Sequence, residues 1–186
     1  MKYEIADFSF EIISEYEVMM ELVSREEGIA KIRIDMDFHG EIRPEPVKIR
    51  WYSSGCGVYT RWSPMEVQDH ILYPNWRKAV NESRSACGMP LQCYVGKDGR
   101  SCGAVAVSDV RTPMNIRSGI VEESGQVQWE LVLFAQKVGK LSCYQAELRI
   151  DTRKLPYEQT IGEVNAWWES LGYHPGKTAE AAFEPL

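Results

Sequence analysis

Alternation of apolar and polar residues with a period of two is the feature that most constrains how this chain can fold. The clearest run covers residues 29–38, where apolar side chains at even positions alternate with charged side chains at odd positions: Ile32, Ile34, Met36 and Phe38 against Lys31, Arg33, Asp35 and Asp37. Similar runs cover residues 1–10, 17–23, 47–51, 91–95, 102–109, 117–123, 127–136 and 144–152. Such runs, separated by turn residues, are typical of half-buried strands. The sequence therefore predicts an all-β fold, a large β-sandwich of about ten strands.

The last part of the chain changes from a strand pattern to a helix pattern. Pro156 ends the final strand, and apolar residues then recur at helical spacing over residues 157–171: Ile161, Val164, Trp167, Trp168 and Leu171. The spacing predicts one helix, with Gly172 as a C-cap. We therefore divide the chain into a sandwich domain, residues 1–155, and a linker helix with a tail, residues 156–186.

The tryptophan pair of this helix suggests two contact surfaces. Adjacent positions on a helix point about 100° apart, so Trp167 and Trp168 do not face one narrow partner. We therefore expect one of them to pack on the sandwich and the other to be partly exposed, at a contact with a further domain.

Charge and cysteine content narrow the function classes. The formal net charge of −6 argues against nucleic-acid binding, which depends on Lys and Arg against phosphates. No apolar run approaches the roughly 20 residues of a membrane helix, and the acidic N-terminus is unlike a signal peptide. The five cysteines form no C-x-x-C pair. We therefore expect reduced thiols, a cytoplasmic protein, no metal site and no cofactor.

Residues 52–89 break the strand pattern and carry the candidate binding residues. This span is rich in Gly, Pro and Ser and contains Tyr59, Arg61, Trp62 and Trp76, with room for a short strand near residues 58–60. Long irregular spans inside a domain are usually functional. Aromatic rings stack on the CH face of a sugar, and Arg bonds its hydroxyls, so these four are candidate substrate-binding residues. The alternative is a loop that folds back on its own tryptophans to cap the core.

The prominent carboxylates do not suggest a catalytic pair. Asp35 and Asp37 lie on the polar side of a regular run, and Glu122 and Glu123 lie beside a turn. Most carboxylates of this kind are solvated. We assign no catalytic residue to this chain.

Several segments, most of them near the C-terminus, resemble a known family. Residues 148–153 (Leu-Arg-Ile-Asp-Thr-Arg), 155–158 (Leu-Pro-Tyr-Glu), the Trp167-Trp168-Glu169 run and residues 184–186 (Glu-Pro-Leu) resemble the region just before the catalytic barrel in α-galactosidases of glycoside hydrolase family 36. Residues 74–77, 103–109 and 119–123 also look like the N-terminal β-domain of that family. The resemblance covers roughly residues 50–186.

The resemblance implies a supersandwich-like β-domain and a linker helix that lead to an absent (β/α)₈ catalytic barrel. The family retains configuration with two aspartates, and both belong to the barrel, so this chain alone would not be an enzyme. The N-terminal domain of the family packs on the barrel and can lend a loop aromatic to the sugar pocket. The Trp62-Ser63-Pro64 run is similar to a Trp-Gly-Pro of some members, which puts Tyr59 at a position where many members have Trp.

The expected function follows from this resemblance. The chain would be the N-terminal non-catalytic domain of an α-galactosidase-like glycoside hydrolase. Its partners would be its own barrel, α-galactoside sugars and, in a homo-oligomer, further copies. Two alternatives stay open: a free-standing carbohydrate-binding module, and a scaffold whose sandwich mediates oligomer contacts.

Overall fold

The alternating runs fold as the strands of an all-β sandwich. The computed structural model describes residues 1–42, 45–54, 59–62, 90–96, 98–109, 114–134 and 141–172. Within these ranges lie eleven strands and one helix: β1 (Lys2–Ile5), β2 (Phe8–Ile13), β3 (Val18–Glu26), β4 (Ile29–Ile42), β5 (Val47–Ser53), β6 (Tyr59–Trp62), β7 (Leu91–Gly96), β8 (Ser101–Val107), β9 (Met114–Ile120), β10 (Val127–Leu133), β11 (Leu141–Asp151) and α1 (Tyr157–Ser170). The predicted fold class is confirmed.

The strands form two antiparallel sheets. Sheet A has the order β1-β2-β5-β10-β9, and sheet B has the order β3-β4-β11-β8-β7-β6. The β3–β4 hairpin turns on Glu27 and Gly28, between the paired residues Glu26 and Ile29. Both turn residues have positive φ, 45° and 85°, which gives the turn a twist that matches the flanking strands.

The main core lies between the inner faces of the two sheets. Trp51 of β5 and Trp129 of β10 are register partners within it, and their buried rings stack 6.4 Å apart with 12° between the planes. The apolar positions of the clearest run are all buried in this core, as predicted: Ile32, Ile34, Met36 and Phe38. Burial of one face per strand explains why the period of two is so clear in the sequence.

A second, thinner layer covers part of the outer face of sheet B. Helix α1 lies there, and its buried residues are Thr160, Ile161, Val164, Trp167 and Trp168. Beneath the helix, Ala104 and Ala106 of β8 are buried, although they alternate with the core residues Val105 and Val107. The run of small residues in β8 therefore allows the close approach of the helix layer.

The structure corrects three expectations. Residues 1–10 are not one strand: Ala6, with φ of 55°, turns the chain between β1 and β2. Leu171 is 45% exposed and does not belong to the buried face of α1. Trp167 and Trp168 are both buried, because the buried residues of α1 span an arc of about 120° that is wide enough for both rings.

Candidate functional site

The segment that carries the resemblance forms a joint between β11 and α1. Arg149 and Asp151 of β11 point away from the main core, yet they are only 3% and 2% exposed because the joint covers them. The Arg149 Nη1 lies 3.4 Å from Asp151 Oδ2, and its Nη2 lies 3.5 Å from Glu163 Oε2 on the helix. Arg153 donates from Nε and Nη2 to the two Asp151 oxygens, at 3.0 and 2.7 Å, and also to Glu163. We call these four residues the charge quartet.

The charge quartet balances two guanidinium groups against two carboxylates. Burial lowers the pKa of Arg149, and the charges of Asp151 and Glu163 oppose this shift. Hydrogen bonding to Asp151 raises the pKa of Arg153. Burial would raise the pKa of Glu163, but hydrogen bonds from Arg153 and Gln159 outweigh it, and the pKa of Glu163 lies below its ordinary value. The contacts within the quartet therefore favour the charged forms of Arg153 and Glu163.

The β7–β8 hairpin tip holds the start of the helix. The N-cap residue of α1 is Pro156, which makes no side-chain cap. Instead, the Tyr157 N–H donates to the Gly99 carbonyl at 3.0 Å, and the Ser101 N–H donates to the Leu155 carbonyl at 2.6 Å. The hairpin thus satisfies one of the backbone N–H groups at the helix start that have no partner within the helix.

The tryptophan pair holds the rest of the helix. Trp168 is fully buried, and its Nε1 donates to the Val107 carbonyl at 2.9 Å. Trp167 is 8% exposed, and the Lys31 ammonium lies 5.8 Å from its ring centroid, within the range of a cation–π contact. Two rings on one helix therefore reach two different strands of sheet B, β8 and β4.

The predicted binding residues lie at the far edge of sheet B. Tyr59, Arg61 and Trp62 belong to β6, where Tyr59 pairs with Gly96 and Trp62 pairs with Cys93. Strand β6 confirms the short strand expected near residues 58–60. The structure therefore brings three of the four candidates together on one edge strand. Trp76, residues 63–89 and residues 173–186 lie outside the described residues.

Sequence reasoning missed the charge quartet as a unit. The residues at 149, 151 and 153 follow the polar phase of β11, which is typical of a solvated face. The opposite charges at every second position were the one available signal, because a carboxylate between two arginines in a strand suggests a shared contact. Glu163 is distant in sequence, and no spacing rule links it to β11.

Other chemical groups are spread out in the described part of the chain. Asp37, Glu122 and Glu123 are exposed as expected, and Asp35 is partly exposed and accepts a hydrogen bond from Gln145 at 2.6 Å. Among the described residues, no group of three or more His, Cys, Asp or Glu side chains could hold a metal ion. The helix found in these ranges is too short and too polar to cross a membrane.

The chain was compared with family models, with curated proteins and with solved structures, and no match was found in any of the three.

Proposed function

We propose that this chain is the N-terminal, non-catalytic β-sandwich domain of an α-galactosidase-like retaining glycoside hydrolase. The observation that carries the proposal is the joint between β11 and α1. Three segments of the resemblance, at 148–153, 155–158 and 167–169, contain residues that pin the helix to the sheet. A joint of this kind holds α1 in a fixed position on the sandwich, as a linker to a catalytic barrel requires.

In this role the chain packs against the catalytic domain and takes no part in proton transfer. A retaining glycosidase needs two carboxyl groups about 5–5.5 Å apart in one pocket. We assign both to the barrel that follows. The sandwich would pack on that barrel and present Tyr59, with Arg61 and Trp62 of β6 and Trp76 further along the chain, toward an α-galactoside. We place the parent enzyme in the cytoplasm, because Cys93 and Cys143 are thiols. Assembly of the parent enzyme into homo-oligomers stays open.

Hydrolysis of an aryl α-galactoside by two polypeptides tests the proposal. The parent polypeptide, expressed from the complete reading frame, should be longer than 186 residues and should release the aryl group with retention of configuration. The 186-residue chain alone should release none. A parent without α-galactosidase activity, or turnover by the chain alone that is lost when one of its carboxylates is changed, would overturn the proposal.

The contribution of Tyr59 is tested separately in the active parent. Loss of one stacking or pocket-filling group should lower kcat/KM by an amount on the order of 1–3 kcal/mol in Tyr59→Ala. Met19→Ala is the control and should leave kcat/KM unchanged, because Met19 is 57% exposed on β3, at the opposite edge of sheet B from β6. Unchanged kinetics in Tyr59→Ala, together with a large loss of stability, would show that Tyr59 serves the core.

A further inference from the structure

The sandwich is open at the end where β3 turns into β4. A cleft of about 430 Å³ lies there between the two sheets, bounded by the ends of β5 and β11, the start of β8 and the β1–β2 turn. This volume falls within the range of small-molecule sites in proteins. The cleft lies between the two sheets, whereas helix α1 lies on the outer face of sheet B, and of the charge quartet only Asp151 is part of the lining.

Small residues create this cleft. Its lining includes Gly28, Ala30, Ser53, Ser54 and Gly103, whereas the centre of the core is filled by large side chains. Gly103 has a φ of 145°, and a Cβ at this position would lie 3.1 Å from Trp129 Cζ2. The Trp129 indole, packed closely on Gly103, therefore forms the floor of the cleft. These residues supply too little side-chain volume to fill the space between the sheets at this end, so a cleft remains.

Two hydroxyl groups of the lining, those of Ser53 and Thr152, are each held by one hydrogen bond within the protein and can form another with a ligand. Ser53 Oγ accepts the Trp129 indole N–H at 2.9 Å, which leaves the Ser53 hydroxyl hydrogen to donate. Thr152 Oγ1 donates to the Gly28 carbonyl at 3.1 Å, which leaves its oxygen to accept. The lining thus offers both a donor and an acceptor beside the apolar surfaces of Phe8 and Ile29.

The charges of the lining are balanced. Asp7 forms an ion pair with Arg25 at the rim, and Asp151 is held by Arg149 and Arg153. Among the described residues, the charged side chains of the lining are two acids, Asp7 and Asp151, and two bases, Arg25 and Lys154. A carboxylate accepts a hydrogen bond from a hydroxyl group, and a guanidinium donates one to it. The Asp7–Arg25 pair can therefore bind the two hydroxyl groups of an uncharged diol.

We propose that this cleft is a binding site for a neutral, polyhydroxylated small molecule of sugar size. The apolar walls receive the CH face of such a ligand, and the hydroxyls and the rim ion pair bind its OH groups. The site belongs wholly to this chain, so it does not depend on a catalytic barrel or on Tyr59. Binding by the 186-residue chain tests it, whereas hydrolysis by the parent tests the proposed function, and the two can fail separately.

The experiment follows the indole N–H resonances of the 186-residue chain by NMR during titration with D-galactose, D-glucose and myo-inositol. Trp129 Nε1 lies at the cleft floor, whereas Trp168 Nε1 bonds to Val107 on the outer side of sheet B and serves as the internal control. At least one neutral probe should shift the Trp129 resonance saturably in the millimolar range and leave the Trp168 resonance unmoved. No saturable shift of Trp129 with any of the three would overturn the proposal.

Matched variants locate the site. Ser54 is an exposed residue of the rim, and Ser54→Tyr should block the cleft and abolish the Trp129 shift. Ser142→Tyr is the control, because Ser142 is exposed near the opposite end of β11, about 30 Å along the strand from Asp151. Equal binding by the two variants would overturn the proposal.

Two further measurements test the chemistry of the site. Thr152→Val keeps the shape of the side chain and removes its hydroxyl, so it should weaken binding several-fold and leave the cleft open. D-galacturonate and D-galactosamine carry the two opposite charges and should bind no more tightly than D-galactose. Tighter binding of either charged sugar, or full binding by Thr152→Val together with full binding by Ser54→Tyr, would contradict the assignment.

Discussion

The indole N–H of Trp168 donates to the backbone carbonyl of Val107 across 2.9 Å, in a site that excludes solvent from the ring. The bond ties the last turn of α1 to the end of β8. Val107 therefore serves two layers: its side chain is part of the main core, and its carbonyl holds the helix on the other side of the sheet.

The tryptophan contact should dominate the stability of the helix layer. Trp168→Ala should lower the free energy of unfolding by about 3–5 kcal/mol, because it opens a large cavity. Trp168→Phe should lower it by about 1–3 kcal/mol, because it leaves the Val107 carbonyl without its donor. Urea unfolding measures both. Leu171→Ala is the control on the same helix, and its effect should stay within about 0.5 kcal/mol, since Leu171 is 45% exposed. A comparable loss in the control would contradict the packing described here.

The charge quartet should respond unequally to loss of its two acids. Asp151→Asn removes the negative charge that faces Arg149 and Arg153 in a buried site. This change should lower the free energy of unfolding by about 3–5 kcal/mol. Glu163→Gln should cost much less, because the Glu163 side chain is 34% exposed. Asp35→Asn serves as a control on the exposed part of sheet B. Equal costs from the changes at 151 and 163 would show that burial does not set the strength of these pairs.

The lowered pKa of Glu163 gives the stability a defined pH dependence. A carboxyl whose pKa is lower in the folded state than in the unfolded state stabilises the fold above the ordinary Glu value of 4.5. This contribution is lost as the pH falls through the lowered pKa. The difference in unfolding free energy between wild type and Glu163→Gln should therefore be constant from pH 7 to about pH 5.5 and shrink below pH 4.5. A difference that stays unchanged down to pH 3 would contradict the assignment.

Two glycines should respond in opposite ways to the same substitution. Gly103→Ala should lower the unfolding free energy by about 1–3 kcal/mol, because the backbone conformation and the Trp129 ring both disfavour a Cβ. Gly162 lies on the exposed face of α1, and a Cβ there would meet nothing within 4 Å. Gly162→Ala should therefore raise the unfolding free energy by up to about 1 kcal/mol. Thermal unfolding of both variants is sufficient, and destabilisation by Gly162→Ala would contradict the exposed placement.

The two described thiols should differ in reactivity. Burial raises the pKa of the Cys93 thiol to about 12, with a smaller contribution from the charge of Asp151, whereas Cys143 is exposed. Thiolates are the reactive species, so Cys93 should not react with a disulfide reagent in the folded protein. Cys143→Ser should remove one fast-reacting thiol, and Cys93→Ala should remove none until urea is added. Loss of a fast thiol in Cys93→Ala would contradict its burial.

The sequence predicted the inner faces of the sandwich because one-sided burial imposes a period of two on each strand. It did not predict the outer face of sheet B. Arg149 and Asp151 follow the same polar phase as Gln145, which is exposed. Whether a polar position is solvated or covered depends on where α1 docks, and docking is a tertiary contact that spacing within the strand does not encode.

The candidate sites show the same division. Local composition singled out the irregular span and located the short strand at Tyr59. The cleft was missed because its lining comes mainly from turns and strand ends, at residues 7–8, 25, 28–30, 52–54, 103–105, 126, 129, 150–152 and 154, which meet only in the folded sandwich. Its clearest trace in the sequence is Gly103, an otherwise unexplained glycine inside a strand pattern.

The contact between the β7–β8 hairpin and the start of α1 has a consequence for the order in which the parts of the protein fold. A 14-residue helix is marginal by itself in water, and this one begins at Pro156, which makes no side-chain cap. The Gly99 carbonyl can accept the Tyr157 N–H only after the β7–β8 hairpin exists, and Ser101 meets Thr160 across 59 residues of chain. Local helices usually form early in folding, before distant strands pair. We therefore expect α1 to become stable only after the β7–β8 hairpin has formed.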